Sequence, residues 1–139
     1  MITSGVCHSF KAELLGMATH SPTDVYKIAL YQEWATIGPD STAYTVAGEC
    51  PATGGYYVGG FVLKGFAASL DGKVGILDFA DVRVETSTIT ARGAMIYNSS
   101  KDNRAVAVCD FGEDFTSING PFDIPMPEPT AKTAVIRIA

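Results

Sequence analysis

Few residues of this 139-residue chain could do chemistry: two histidines, three cysteines and two acidic clusters. Cys7 and His8 are adjacent and suggest a thiolate–imidazole pair. Successive side chains of a helix point about 100° apart, however, so the two would not face each other in one. No GxSxG turn presents a serine nucleophile. Cys7, Cys50 and Cys109 are odd in number and widely spaced, which makes neither a disulfide framework nor a CxxC zinc pair. They are expected as buried or half-buried free thiols in a reducing compartment.

The acidic clusters are Asp78-Phe79-Ala80-Asp81 and Asp110-Phe111-Gly112-Glu113-Asp114. Both are expected at strand ends, where carboxylates accept turn amides, and neither has the spacing of an EF-hand calcium loop. Asp110-Phe111-Gly112 matches the kinase magnesium tripeptide but lacks every companion motif. The stretch Gly54 to Gly60 has neither the Walker A ending nor GxGxxG spacing, so it is no phosphate loop. The segment 48–62 reads as a Gly/Tyr-rich arm whose Tyr56, Tyr57 and Phe61 pack on a neighbouring subunit, or as an ordinary hairpin tip with surface tyrosines. Trp34, the single tryptophan, is either a stacking platform for a carbohydrate or a partial plug of the core. Arg92 and Arg104 flank a long hairpin and are expected to pair structurally with Asp102 or Asp110. No nucleophile, base and oxyanion site come together, so the expectation is a non-enzyme with no catalytic residue, metal or cofactor.

The elements that carry these residues are mostly strands. Val6, Phe10, Leu14 and Met17 recur at helical spacing, which predicts a short helix within 1–20, capped by Ser4 or Ser9 and ended by Gly16 and Ser21-Pro22. Phe10 and Met17 on that face dock on a partner, or the face covers one end of the domain. Residues 25–31 form a β-rich run with Tyr26, Ile28 and Leu30 on one face. Phe61 to Leu63 starts another strand, and Asp71-Gly72 marks a hairpin between Ala68–Leu70 and Val74–Phe79. Thr86 to Asn98 reads as a long strand with a bulge or bend at Gly93, returning through the polar turn 98–103 as Arg104 to Phe111. Asn119-Gly120-Pro121 signals a further turn before Phe122 to Met126. The closing run Ala134 to Ile138 is expected to pair inside a sheet. Together these predict one domain over 1–139, mainly β: an antiparallel β-sandwich or jelly-roll-like domain with a short N-terminal helix.

Composition narrows the function classes. Ten Lys and Arg against fifteen Asp and Glu give a net charge of −5, the wrong sign for nucleic-acid phosphate or anionic lipid. No run approaches the roughly 18 apolar residues of a membrane span, and the first residues do not read as a secretory signal. Hydrophobic residues are 47% and charged residues only 18%, so much of the surface must be buried or covered by neighbours. The Gly/Tyr arm and the Pro-rich segment 121–129 carry the apolar groups that look exposed.

The stretches SGVCHSFKAELL, VYKIALY, TITARGAMIYNSSKDNRAVAVCDFG and AVIRIA, in this order, resemble a family of small virion structural proteins of tailed bacteriophages. Residues 88–112 carry the most specific part, whereas 32–72 follow the pattern most loosely. The resemblance implies a particle component assembled in the host cytoplasm, homo-oligomeric and in contact with the major capsid protein or tail components. Within a virion the expected role is a capsid decoration or cement protein. A tail-, nozzle- or adaptor-associated structural protein is the alternative, and a carbohydrate- or receptor-binding module is the second alternative.

Overall fold

Strand formation is densest where β-branched and aromatic residues cluster, and these runs pair as two antiparallel sheets in the computed structural model, which describes residues 1–124, 130 and 132–138. The larger sheet holds five strands. Gly5–Val6 (β1) and Tyr26–Tyr31 (β2) flank the long hairpin of Val82–Asn98 (β6) and Arg104–Ile124 (β7), and Phe61–Val62 (β3) lies outside β2. The smaller sheet places Val74–Asp78 (β5) between Ala67–Asp71 (β4) and Ile136–Ile138 (β8). The arrangement is sandwich-like and mainly β, with one short N-terminal helix, as the strand-rich sequence predicts.

Strand β2 is buried on both faces, which periodicity alone did not indicate. Tyr26 and Ile28, with Ile96 opposite Ile28, face the smaller sheet, and Tyr26 meets the rings of Phe66 and Phe79. The alternate residues Ala29 and Tyr31 share the opposite face with Met95 and Tyr97 and are covered by the loops of residues 32–60. Residues directly opposite in an antiparallel pair share a face, so the two sets are separated by the pleat. A central strand covered on both sides explains how so apolar a chain hides its side chains.

The hairpin strands are 17 and 21 residues long, several times the usual ~5–6. The first starts earlier, and the second ends later, than the sequence suggests. Asp102 and Asn103 turn the chain with positive φ of 53° and 55°. The predicted turn at Asn119-Gly120-Pro121 is no turn: it lies inside β7. There the register steps from Ser87 opposite Gly120 to Ile89 opposite Ser117, and Asn119, at φ 47°, donates its amide to Thr88 Oγ1 at 3.1 Å. The turn-forming residues are absorbed as a bulge, and Pro121 is tolerated on a sheet edge, where no ladder bond needs its missing N–H.

The irregularity expected at Gly93 is present, since the register shifts between Ala91 and Gly93. Residues 111–114 of β7 are accommodated opposite Arg92 alone, so the second acidic cluster sits in a mid-strand bulge rather than at a strand end. Asp110 nevertheless accepts a local amide, that of Gly112, at 2.9 Å. In the β4–β5 hairpin Asp71 still pairs with Val74, so the two-residue loop is Gly72-Lys73, one position later than expected. The closing strand is paired, as β8 against β5. The part of the Pro-rich segment from Pro125 to Pro129 lies outside the described residues.

The N-terminal helix is shorter than its pattern. His8–Ala12 (α1) is α-helical, and Glu13–Met17 continues as a π-helical turn that Gly16 ends at φ 127°. Neither serine caps it: Cys7 occupies the cap position without a side-chain bond, and Ser4 Oγ instead accepts the Asp110 amide at 2.7 Å. Widening to π geometry splits the expected stripe, leaving Phe10 in the core and Leu14 and Met17 exposed.

Candidate functional site

The loops covering the larger sheet are organised by one buried carboxylate. Glu49 receives hydrogen bonds from the hydroxyls of Tyr44 and Tyr56 and from the Gly59 amide, the last at 2.8 Å. Tyr56 Oη in turn accepts the Leu30 amide at 3.0 Å, tying the loop to β2. Tyr97 donates to the Gly59 carbonyl at 2.6 Å and stacks on Tyr44 with ring centroids 4.7 Å apart. Burial pushes the Tyr97 phenol up to about 12, and burial with the Glu49 carboxylate pushes Tyr44 and Tyr56 up further, so these groups remain donors.

The segment 48–62 is therefore not a flexible arm. Tyr56 is a core residue and Phe61, half-buried, packs edge-on against it at 5.6 Å, which removes Tyr56 as a free contact residue; only Tyr57 of that pair is exposed. The reason is the unpaired upper face of β2, which these rings cover. Phe10 is likewise corrected: it is buried against His20, with ring centroids 4.8 Å apart.

His20 belongs to a second polar cluster, under the helix. Glu13 accepts from His20 Nε2 at 2.8 Å through Oε1 and from Arg104 at 3.1 Å through Oε2. Asn98 Nδ2 donates to His20 Nδ1 at 3.0 Å and to Asp24 at 2.9 Å, while Asn98 Oδ1 accepts the Ser100 amide. The carbonyl and both N–H groups of Asn98 are thereby used, which places the ring hydrogen of His20 on Nε2. Glu13, His20 and Asn98 resemble the makings of a proton relay. Yet both ring nitrogens are spent on protein partners and the side chains of the Glu13–His20 pair are almost wholly buried, so the cluster is a clamp on the hairpin turn.

Asp24 closes this cluster. The Ser21 amide, the Asn98 amide and the Lys101 ammonium hold its carboxyl down at about 2. An unfolded aspartate titrates at about 3.9, so on acidification the unfolded chain takes up the proton first. The stabilisation is complete above the unfolded value and lost as pH falls through the folded one. Stability is expected to drop between about pH 4 and pH 2. Asp24→Asn, followed by urea unfolding across that window, should show a shallower slope, and an unaltered slope would remove Asp24 from the acid response.

Cys7 and His8 do not form a pair. Cys7 Sγ lies 3.9 Å from the Gly38 carbonyl, and His8 Nδ1 lies 3.1 Å from Asp40. Burial and the nearby Glu13 push the Cys7 thiol up to about 12, against any nucleophilic role. All three cysteines are free, with Cys109 exposed. Among the described residues no three His, Cys, Asp or Glu side chains gather as a metal site, and no helix is long and apolar enough to cross a membrane.

Two surface features among the described residues bear on partners. The first is a group of exposed apolar side chains around the helix end. Leu15 and Met17 are 91% and 77% exposed, and Leu14 and Ile138 line one depression of about 240 Å³ with Phe66, Ile76 and Leu77. Strand β4 borders this depression, exposed along its length, with β5 its one strand neighbour among the described residues. Of the expected helix contacts, Met17 is thus on the surface.

The second is a cleft of about 410 Å³ between residues 32–34 and 50–53 on one wall and Thr88–Thr90 of β6 on the other. Trp34 lines it and is 65% exposed, so it is no plug of the core. Arg92 bonds Asp114 at 3.0 Å and approaches Glu33 at 3.8 Å, while Arg104 bonds Glu13; neither pairs with Asp102 or Asp110. The bulge at 111–114 carries Asp114 onto Arg92, a displacement that strand spacing does not reveal.

Sequence reasoning missed Glu49, Glu13 and Asn98 altogether. Each is a polar residue enclosed by aromatic and apolar neighbours from distant segments, and only an acid set inside an otherwise turn-rich, Tyr-bearing stretch hinted at the first. No protein-family model, no curated protein and no solved structure matches this chain.

Proposed function

We propose that this chain is a non-enzymatic structural component of a tailed-bacteriophage virion, a capsid decoration or cement protein held by contacts with neighbouring subunits and with copies of itself. The observations that carry the proposal are the exposed Leu15 and Met17 at the end of the helix and the depression lined by Leu14 and Ile138 beside β4, whose outer edge has no strand partner among the described residues. Exposed Leu and Met in such density are unusual on a free monomer, and the outer edge of a short strand offers main-chain groups to a neighbour. The resemblance of residues 88–112 to virion proteins supplies the context. The polar clusters agree with a scaffolding role, since the buried carboxylates Glu13 and Glu49 are spent on protein partners. Repetition over a shell would turn modest single contacts into particle stability.

The test is quantitative mass spectrometry of purified particles. The protein should be present in a fixed ratio to the major shell protein. Leu15→Asp combined with Met17→Asp should abolish incorporation while shifting the unfolding free energy by no more than about 0.5 kcal/mol per site, because both side chains are exposed. A copy number tied to tail rings would move the protein to the tail, and absence from particles would refute the reading.

A further inference from the structure

We propose that the Trp34 cleft binds a neutral saccharide, one sugar face stacked on the indole and its hydroxyls bonded to the walls. This site is separate from the apolar groups around the helix end and does not depend on their role. The volume, about 410 Å³, lies within the range of small-molecule pockets, roughly 300–1,000 Å³. Its chemistry is mixed in the way a sugar requires. The indole of Trp34 offers a large flat apolar surface, left 65% exposed by the fold. Thr53, Thr88 and Thr90 bring hydroxyls, and Glu33 and Asp114 bring carboxylate acceptors.

The charges select against other ligands. Arg92 is engaged with Asp114 and Glu33, and neither lysine nor arginine lines the cleft among the described residues. Two carboxylates against one engaged guanidinium repel phosphate, sulfate and uronate groups, whereas a neutral polyol meets acceptors without a charge to desolvate. An apolar peptide would strip water from the wall carboxylates, which keep acceptor capacity beyond their contacts with Arg92, and would offer no donor in exchange.

The walls are also held in place before any ligand arrives. The Thr88 amide donates to the Gly54 carbonyl at 2.8 Å, joining the loop to β6. Cys50 Sγ donates to the Thr90 carbonyl at 3.3 Å, and Gln32 Nε2 donates to the Glu49 carbonyl at 3.0 Å. Arg92 fixes the Asp114 carboxylate at the rim. Binding therefore incurs little of the ordering cost that weakens loop-borne sites.

Because Trp34 is the only tryptophan, the intrinsic fluorescence of the full chain reports this cleft directly. The protein is titrated with hexasaccharides of glucose in α-1,4 and β-1,4 linkage, of mannose and of N-acetylglucosamine, and with a heparin hexasaccharide as the anionic control. At least one neutral sugar should give a saturable change in emission, and heparin none. By calorimetry, Trp34→Ala should weaken that binding about tenfold or more, Trp34→Phe should retain part of it, and Asp114→Asn should weaken it severalfold. Unchanged thermal melting of the variants separates lost binding from lost folding. No saturable response to any neutral sugar overturns the proposal, as does preference for heparin or undiminished binding by the folded Trp34→Ala variant.

Discussion

Gly60→Ala is expected to destabilise the protein by about 3 kcal/mol or more. Gly60 sits at φ 82°, and a Cβ there would come 1.9 Å from the Ile28 carbonyl oxygen, 2.7 Å from its carbon and 2.8 Å from Ala29 Cα. Those atoms are the backbone of β2, which is bonded to β6 on one side and β3 on the other and cannot withdraw without breaking a ladder. Relief would have to come from lifting the 54–60 loop, and with it Tyr56 and Gly59, off the sheet. Gly72→Ala is the comparison. It shares a positive φ, 63°, but nothing lies within 4 Å of its added carbon, so only the conformational cost of about 1 kcal/mol applies. Urea unfolding of both variants reads the difference, and equal losses would show that the close approach to β2 carries no weight.

Glu49→Ala is expected to cost about 3–5 kcal/mol, the second large effect. The substitution removes the acceptor of three donors at once: the Tyr44 and Tyr56 hydroxyls and the Gly59 amide. Two of these bonds are fully buried, so water cannot replace the lost oxygen without opening the loop. Glu49→Gln should recover little, because its amide nitrogen brings a donor to a place already supplied with donors. Tyr44→Phe should lose only about 1 kcal/mol, since it removes one bond and keeps the ring against Tyr97. Equilibrium unfolding of the three variants checks this order. A Tyr44→Phe loss as large as that of Glu49→Ala would mean that stacking, not the carboxylate, holds the loop.

Both expectations concern a stretch whose sequence points elsewhere. Gly54-Gly55-Tyr56-Tyr57-Val58-Gly59-Gly60 reads locally as a mobile arm, because glycine density lowers the expectation of order. In the folded chain those glycines permit close approach to the backbones of β2 and β6, and Tyr56 packs beneath them. Phe10 shows the same reversal on a smaller scale. Helical spacing put it on one face with Met17, but the π-helical turn rotates the two apart, so one side chain is core and the other surface. Trp34, a single aromatic among turn residues, reads locally more as a partial core plug than as a stacking platform, and only the packing of 32–34 over β6 leaves it exposed instead.

What the sequence by itself determined is most of the strands, though Val6 of β1 reads as helix, and several of their joints. Alternating β-branched and aromatic residues require β2, β6 and β7, the positive-φ residues Asp102 and Asn103 require the hairpin between them, and an apolar closing run requires a partner in a sheet. These follow from properties carried within a few residues: side-chain period, φ preference and the lack of competing polar groups. The tertiary structure alone decided which face of β2 each layer covers, that Glu49 and Glu13 are buried with their partners, and that Arg92 meets Asp114. Such outcomes depend on pairs tens of residues apart, and a buried carboxylate has the same local signature as an exposed one. Its burial is tolerable only because the tyrosines, amides or cations that satisfy it arrive from other segments as the chain closes.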